Sequence, residues 1–187
     1  MLELDHSHQV ALYAISSILP FDNTEKLAIE SSQTWVKSGV PIFRTQSPNI
    51  PPKHLVSYSV VVDTTNQKIL LGDHIKSNLW LPMGGHVDTD EDPKLAALRE
   101  CKEELDFTTS LINNNPVFIS VSETVNMIHN HVDVSLWYIL NGSITNHFKI
   151  DYNEFKEIRW FPFDQIPYNN TDKNMERFIR KLKTFIK

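Results

Sequence analysis

The chain has 187 residues, 41% hydrophobic and 22% charged, enough for one domain with a small appendage and for a core that needs neither a disulfide nor a structural metal. Its formal net charge of −5 argues against the clustered Lys and Arg of a nucleic-acid-coating surface. The single cysteine, Cys101, has no intramolecular partner and points to a reducing compartment. Leu2-Glu3-Leu4-Asp5 lacks the cationic start of a secretory leader, and the apolar run at 10–19 is too short to span a bilayer. A cytoplasmic location with no membrane partner is expected.

In chain order, residues 5–19 are predicted to form a helix. Asp5 or Ser7 can cap it, Val10, Ala11, Ala14, Ile15 and Ile18 recur at helical spacing, and Pro20 stops it. A second helix is predicted at 24–37, capped by Asp22 or Asn23 and ended by Gly39, with a thin apolar face of Leu27, Ala28, Trp35 and Val36. Pro41, Pro51 and Pro52, with Ser47 and Asn49, mark an irregular connector. Residues 1–40 are therefore read as an N-terminal helical hairpin and 41–187 as the main domain. Strands are predicted at 54–62, 68–71, 117–121, 132–140 and 158–161, with Asp63-Thr64-Thr65-Asn66 as a turn between the first two. Helices are predicted at 93–105 and at 172–186, the latter with a core-packing stripe of Met175, Phe178, Ile179, Leu182, Phe185 and Ile186. The sum is an α+β or mixed α/β domain with a helical N-terminal extension.

Residues 80–107 carry the chemistry. Asp92 is an N-cap with Pro93 at the first helical position. At roughly 100° per residue, Ala97, Leu98, Cys101 and Leu105 share the buried sector, and Glu100, Glu103 and Glu104 share the sector beside it. Carboxylates so placed repel one another, so something must offset the repulsion. A solvated face with Arg99 paired to Glu103 is one answer. A hard cation is the other, because Gly84-Gly85 follows an apolar strand, where backbone can approach a ligand closely, and Glu91 sits in the loop leading into the same helix, within reach of Arg99. Mg²⁺ and Mn²⁺ take such oxygen donors. There is no cysteine cluster for zinc and no Gly-Lys-Ser/Thr phosphate loop.

Gly85, Glu91, Arg99, Glu100, Cys101, Glu103, Glu104, Asp106 and Phe107 stand at the spacing of the Nudix box, which this stretch resembles. Every charged position matches. Cys101 fills an apolar position, and Asp106 replaces a glycine, which Asp tolerates because it accepts positive φ better than most residues. The strand order before and after the box also resembles that fold, which implies an α+β architecture of the mixed α/β/α sandwich type, and the helical extension resembles that of a bacterial Nudix subgroup. The resemblance implies a metal-dependent hydrolase that cleaves a nucleoside diphosphate linked to another group X, nucleoside triphosphate or nucleotide-sugar-like, with Mg²⁺ (or Mn²⁺) as cofactor. It implies Glu100, Glu103 and Glu104 as metal-binding catalytic carboxylates, Gly84 as carbonyl donor, and Gly85, Glu91 and Arg99 as support. Glu154 is the general base it favours, with Glu157, Glu123 and Glu100 as rivals.

His129, His131 and Asp133 alternate onto one strand face, opposite Val132, Val134 and Leu136. They are expected to meet substrate, to form a second metal site, or to make an ordinary satisfied face. Lys76 and Arg44 are weighed as phosphate contacts against exposed solubilising charges, and Lys76 joins His131 and Asp133 as a substrate-binding candidate. His86 is read as phosphate-proximal or packed, and Trp80 as core rather than a stacking platform. Two other functions compete: a catalytically silent ligand sensor, and an isoprenoid diphosphate isomerase, against which the buried placement of Cys101 counts. The expected partner is a nucleotide-derived small molecule and not a nucleic-acid polymer; the helical hairpin is a candidate lid or homodimer contact.

Overall fold

The structure is a computed structural model that describes residues 4–46, 50–123 and 131–186. Its helices are α1 (His6–Ser16), α2 (Asn23–Lys37), α3 (Pro93–Leu105) and α4 (Met175–Phe185). Its strands are β1 (Lys53–Asp63), β2 (Lys68–His74), β3 (Leu79–Leu81), β4 (Met83–His86), β5 (Phe118–Glu123), β6 (Val132–Asn141) and β7 (Phe155–Pro162). The α+β class holds. Hydrogen-bonded strand neighbours run β3-β2-β1-β6-β5, with β4 also on β1 and β7 also on β2. The chain divides into two compact units, one of Met1–Tyr58, Gly85–Ala97 and Asn114–Tyr138, the other of Ser59–Gly84, Leu98–Asn113 and Ile139–Lys187.

In the first unit α1 and α2 pack on each other and α2 packs on β5. Asp5 caps α1 by accepting from the His8 N–H, and Asp22 caps α2 by accepting from the Glu25 N–H. The buried face of α2 differs from the predicted one: Glu25, Ile29, Ser32 and Val36 face inward, while Leu27 is exposed. Glu25 is fully buried yet satisfied, accepting from Phe21 N–H at 2.6 Å and from Ile119 N–H on β5 at 3.3 Å. A buried carboxylate is tolerated on this face because backbone donors meet it. The connector is anchored too, since Leu55 N–H donates to Ile42 O at 2.9 Å and Val132 N–H to Pro52 O at 2.7 Å.

His8 shows why the start of α1 is held. Its Nδ1 lies 2.7 Å from Asp5 Oδ1 and its Nε2 2.9 Å from Val40 O, two acceptors that only a doubly protonated ring can serve. Burial alone would lower the His8 pKa, but the Val40 carbonyl and the Asp5 carboxylate outweigh it and hold it above the ordinary value. The backbone and ring of His8 in turn hold Asp5 below the usual carboxylate range. With His8 raised in the folded state, its contribution is complete below the unfolded pKa and is lost as pH rises through the folded one; with Asp5 lowered, its contribution fades in acid. Asp5→Ala should therefore lower the melting temperature more at pH 6 than at pH 9. Equal losses at both would show that the ion pair adds nothing to the cap.

In the second unit β2 is central, pairing antiparallel with β1 (Val62↔Ile69), β3 (Gly72↔Leu81) and β7 (Leu70↔Trp160). Gly72 is required there, because a Cβ would stand 2.3 Å from the Phe155 ring. The stripe of α4 is buried from Met175 to Leu182, as predicted, but Phe185 is 43% exposed and does not join the core. The Gly84-Gly85 turn foreseen in the sequence is instead inside β4, where Gly84 adopts φ of 147°, which L side chains rarely adopt. Asp106 ends α3 at φ of 47° and pairs with Lys102, so aspartate does the work of the missing glycine. Among the described residues no helix is long and apolar enough to cross a membrane.

Candidate functional site

α3 begins where predicted, with Lys94 N–H donating to Asp92 Oδ1 at 2.8 Å. Ala97, Cys101 and Leu105 are buried on it, and Leu98 is half-buried. The three glutamates are graded in exposure. Glu103 is open to solvent, its side chain 57% exposed; the Glu100 side chain is 13% exposed; Glu104 as a residue is 8% exposed. Arg99 Nη1 donates to Glu100 Oε1 at 2.7 Å and to Glu103 Oε2 at 3.1 Å, so one guanidinium holds two of the carboxylates together. That satisfies the bland reading for Glu103 but leaves Glu104 unexplained.

Glu104 accepts one side-chain hydrogen bond, from the Gly84 N–H at 2.8 Å, and among the described residues no cationic side chain pairs with it. Burial pushes its pKa up to about 9; the Gly84 bond opposes this, and the charges of Glu100, Glu154 and Asp151 add to it. A second carboxylate from another part of the chain, Glu154, is thus close enough to be felt. Cys101, on the same helix, is pushed to about 12 by burial and by Glu104, which leaves its thiol inert and argues against cysteine-dependent isomerase chemistry.

Glu154 and Lys76, singled out separately as base and phosphate contact, are partners: Lys76 Nζ donates to Glu154 Oε1 at 3.1 Å. His74 Nε2 lies 3.5 Å from Glu154 Oε2, and burial lowers the His74 pKa against the pull of that carboxylate. Ile75 N–H donates to Glu154 O at 2.8 Å, which fixes this loop to the end of β2. The rival Glu157 is exposed and held by Arg159 at 3.0 Å, and Glu123 is exposed at the end of β5. Trp80 is half-buried, edge-on to Phe161 at 5.0 Å and under the Arg159 guanidinium at 5.0 Å, which makes it packing.

In the first unit, Asp88 N–H donates to Glu91 Oε2 at 3.0 Å, so Glu91 braces its own loop. There too lies a cluster that sequence reading assembled only in part: His54, His86, His131 and Asp133, with one ligand atom from each within 4.8 Å of the others. His129, grouped with His131 in the sequence, lies outside the described residues. His54 and His131 stack with ring centroids 5.2 Å apart, and His54 and His86 are 4.8 Å apart. Burial, then the charges of Arg44 and His54, lower the His86 pKa to about 4. His54 was missed because it opens a strand of apolar residues; its only sequence signal was being a histidine in a β-branched run. Beyond Asp133 β6 keeps no polar face, for Val134 through Leu140 are all buried.

A model of the NUDIX domain family matches residues 53–182, and the chain belongs to that family. Solved structures of similar fold include a NUDIX-family hydrolase from Clostridium perfringens, 24% identical, with a TM-score of 0.55 over 71% of this chain and 97% of that one. A UDP-X diphosphatase is 14% identical with a TM-score of 0.50 over 96% of this chain and 93% of that one, a likeness of fold that reaches the N-terminal helices. The m7GpppN-mRNA hydrolase NUDT17 of Xenopus laevis is 43% identical over 54 residues, 26% of this chain and only 18% of that protein.

Proposed function

We propose that the protein is a metal-dependent hydrolase that cleaves the diphosphate linkage of a nucleoside diphosphate joined to another group X. The observation that carries this reading is Glu104: a buried carboxylate whose pKa is pushed to about 9, with no cationic partner among the described residues and with Glu100 near enough to raise it further. Such a group is costly to ionise unless a cation arrives. The donors beside it are carboxylate and carbonyl oxygens, which fit Mg²⁺, with Mn²⁺ as a substitute. Glu100, Glu103, Glu104 and the Gly84 carbonyl would hold the ion, which when bound supplies Lewis acidity at the diphosphate and a more acidic water.

The chain's own part is positional. Arg99 gathers Glu100 and Glu103, and the Gly84 N–H aims Glu104. Glu154 serves as general base, taking the proton of the water that attacks phosphorus, and Lys76 meets a phosphate oxygen next to it. Gly85 and Glu91 shape the loop, and residues 1–40 are an extension to a domain at 41–187. The substrate is a small nucleotide derivative handled in the cytoplasm, of triphosphate or nucleotide-sugar type; the UDP-X activity in one relative's name suits the latter.

The test is a panel of nucleoside triphosphates, dinucleoside polyphosphates, ADP-ribose and nucleotide sugars with Mg²⁺ or Mn²⁺, scored for phosphate, pyrophosphate and monophosphate. Release from at least one class is expected. A rearranged diphosphate would mean an isomerase, and no product from any would mean a silent sensor. With a substrate in hand, Glu154→Gln should lower kcat by about 100- to 10,000-fold with KM little changed. A kcat within severalfold of the parent would move the base to the box helix.

A further inference from the structure

We propose that His54, His86, His131 and Asp133 form a second metal site, structural in character, for Zn²⁺. The four come from three places in one compact unit: His54 from β1, His86 from the end of β4, and His131 and Asp133 from the start of β6 and the residue before it. His54 is 0% and His131 6% exposed, so both rings have left water.

The tautomer of His54 is fixed by its neighbour. Its Nδ1 stands 2.9 Å from the Pro51 carbonyl, which can only accept, so Nδ1 carries the proton. Its Nε2 lies 3.1 Å from Asp133 Oδ1 without hydrogen-bond geometry. His131 Nε2 reaches the same oxygen at 3.3 Å. His54 Nε2 and His131 Nδ1 are both buried without a hydrogen bond, a costly state for a polar atom. Four such donor groups gathered this closely, His54 and His131 buried and His86 and Asp133 half-buried, call for positive charge among them. A proton on His54 Nε2 would have to lie along the ring's own N–H direction, and Asp133 is not there; a metal ion among the four donors meets the geometry.

Three imidazoles and one carboxylate are the borderline donors that select zinc over the hard Mg²⁺. Four protein ligands close the coordination shell and leave no position for a substrate, which is the mark of a structural site. The Pro51 carbonyl behind His54 is the outer partner that metal-bound histidines use to set their orientation. A tetrahedral zinc draws its donors to about 3.3 Å apart, so binding tightens the cluster by side-chain rotation. The ion would tie β1, β4 and β6 together. None of this depends on the hydrolysis proposed above.

The experiment uses the full chain with any affinity tag removed, equilibrated with Zn²⁺, desalted and analysed for metal. About one zinc per chain should remain, and a Co²⁺-loaded sample should show the intense visible bands of tetrahedral coordination. His54→Gln and His131→Ala should each reduce retained zinc by about tenfold or more, and zinc should raise the melting temperature of the parent but not of these variants. A Glu103→Gln, Glu104→Gln double variant should keep the zinc, which separates this site from the carboxylates of α3. A parent chain that retains no more zinc than His131→Ala, or loses it with the α3 substitutions, would overturn the proposal. Should the histidine variants fail to fold, the cobalt spectrum of the parent decides: tetrahedral bands uphold the site, and weak octahedral bands or none refute it.

Discussion

In Glu104→Gln, metal-dependent hydrolysis should fall by about 100- to 1000-fold, the size of loss seen when one preorganised electrostatic partner is removed from an active site, while the metal-free protein stays folded. The two halves of this expectation have one cause. With its pKa near 9, Glu104 is protonated at neutral pH in the metal-free protein, so glutamine replaces a neutral group of the same shape and still accepts from Gly84 N–H. For an acid whose folded pKa lies above its unfolded value, the unfolded chain releases its proton first, so stability falls as pH rises between about 4.5 and about 9. Glu104→Gln removes that slope, and metal-free melting curves of parent and variant should separate in favour of the variant toward pH 9. Metal needs the ionised carboxylate, so Mg²⁺ affinity of the parent should climb by about tenfold per pH unit in this range. A variant that hydrolyses at the parent rate, or a parent whose Mg²⁺ affinity ignores pH, would remove Glu104 from the ligand set.

Trp137→Ala should cost about 3–5 kcal/mol of folding stability, which is a large share of the roughly 5–15 kcal/mol a domain possesses. Trp137 is fully buried on β6. It meets Tyr58 edge-on at 4.7 Å and Phe118 at 90° and 5.5 Å, and its Nε1–H donates to Ser120 Oγ at 3.0 Å. Truncation would strip two aromatic contacts worth about 0.5–1.5 kcal/mol each, leave a cavity, and orphan the serine. Trp137→Phe, which keeps an aromatic ring but not the hydrogen bond, should lose about a third of that. Urea unfolding of the three proteins measures the series; a loss under about 1 kcal/mol for alanine would mean that the site collapses around the gap.

How far the sequence speaks depends on whether a residue's partner is near it in the chain. α3 was legible to the residue because Asp92 and Pro93 start it and its apolar periodicity is local. The glutamates of α3 and their neighbour Arg99 were legible for the same reason. The depth of Glu104 was not, since it depends on Gly84, twenty positions away. The inward face of α2 was misjudged because Glu25 and Ser32 look like solvent residues until β5 is known to lie against them. His54, His86 and His131 are scattered over nearly eighty positions, and only strand pairing gathers them. The pairing of Lys76 with Glu154 was hidden likewise: each was named for a phosphate or a proton, and neither for the other.

The bond from Glu25 to Ile119 has a further meaning during synthesis. These residues are 94 positions apart. At roughly 5–20 residues per second, β5 is made about 5–20 s after α2 leaves the ribosome's catalytic centre. Through that interval the inward face of α2 lacks the strand that covers it, and a carboxylate meant for a backbone donor is still in water. The hairpin thus waits for a strand made much later, and a nascent chain stalled before residue 119 should present it to chaperones.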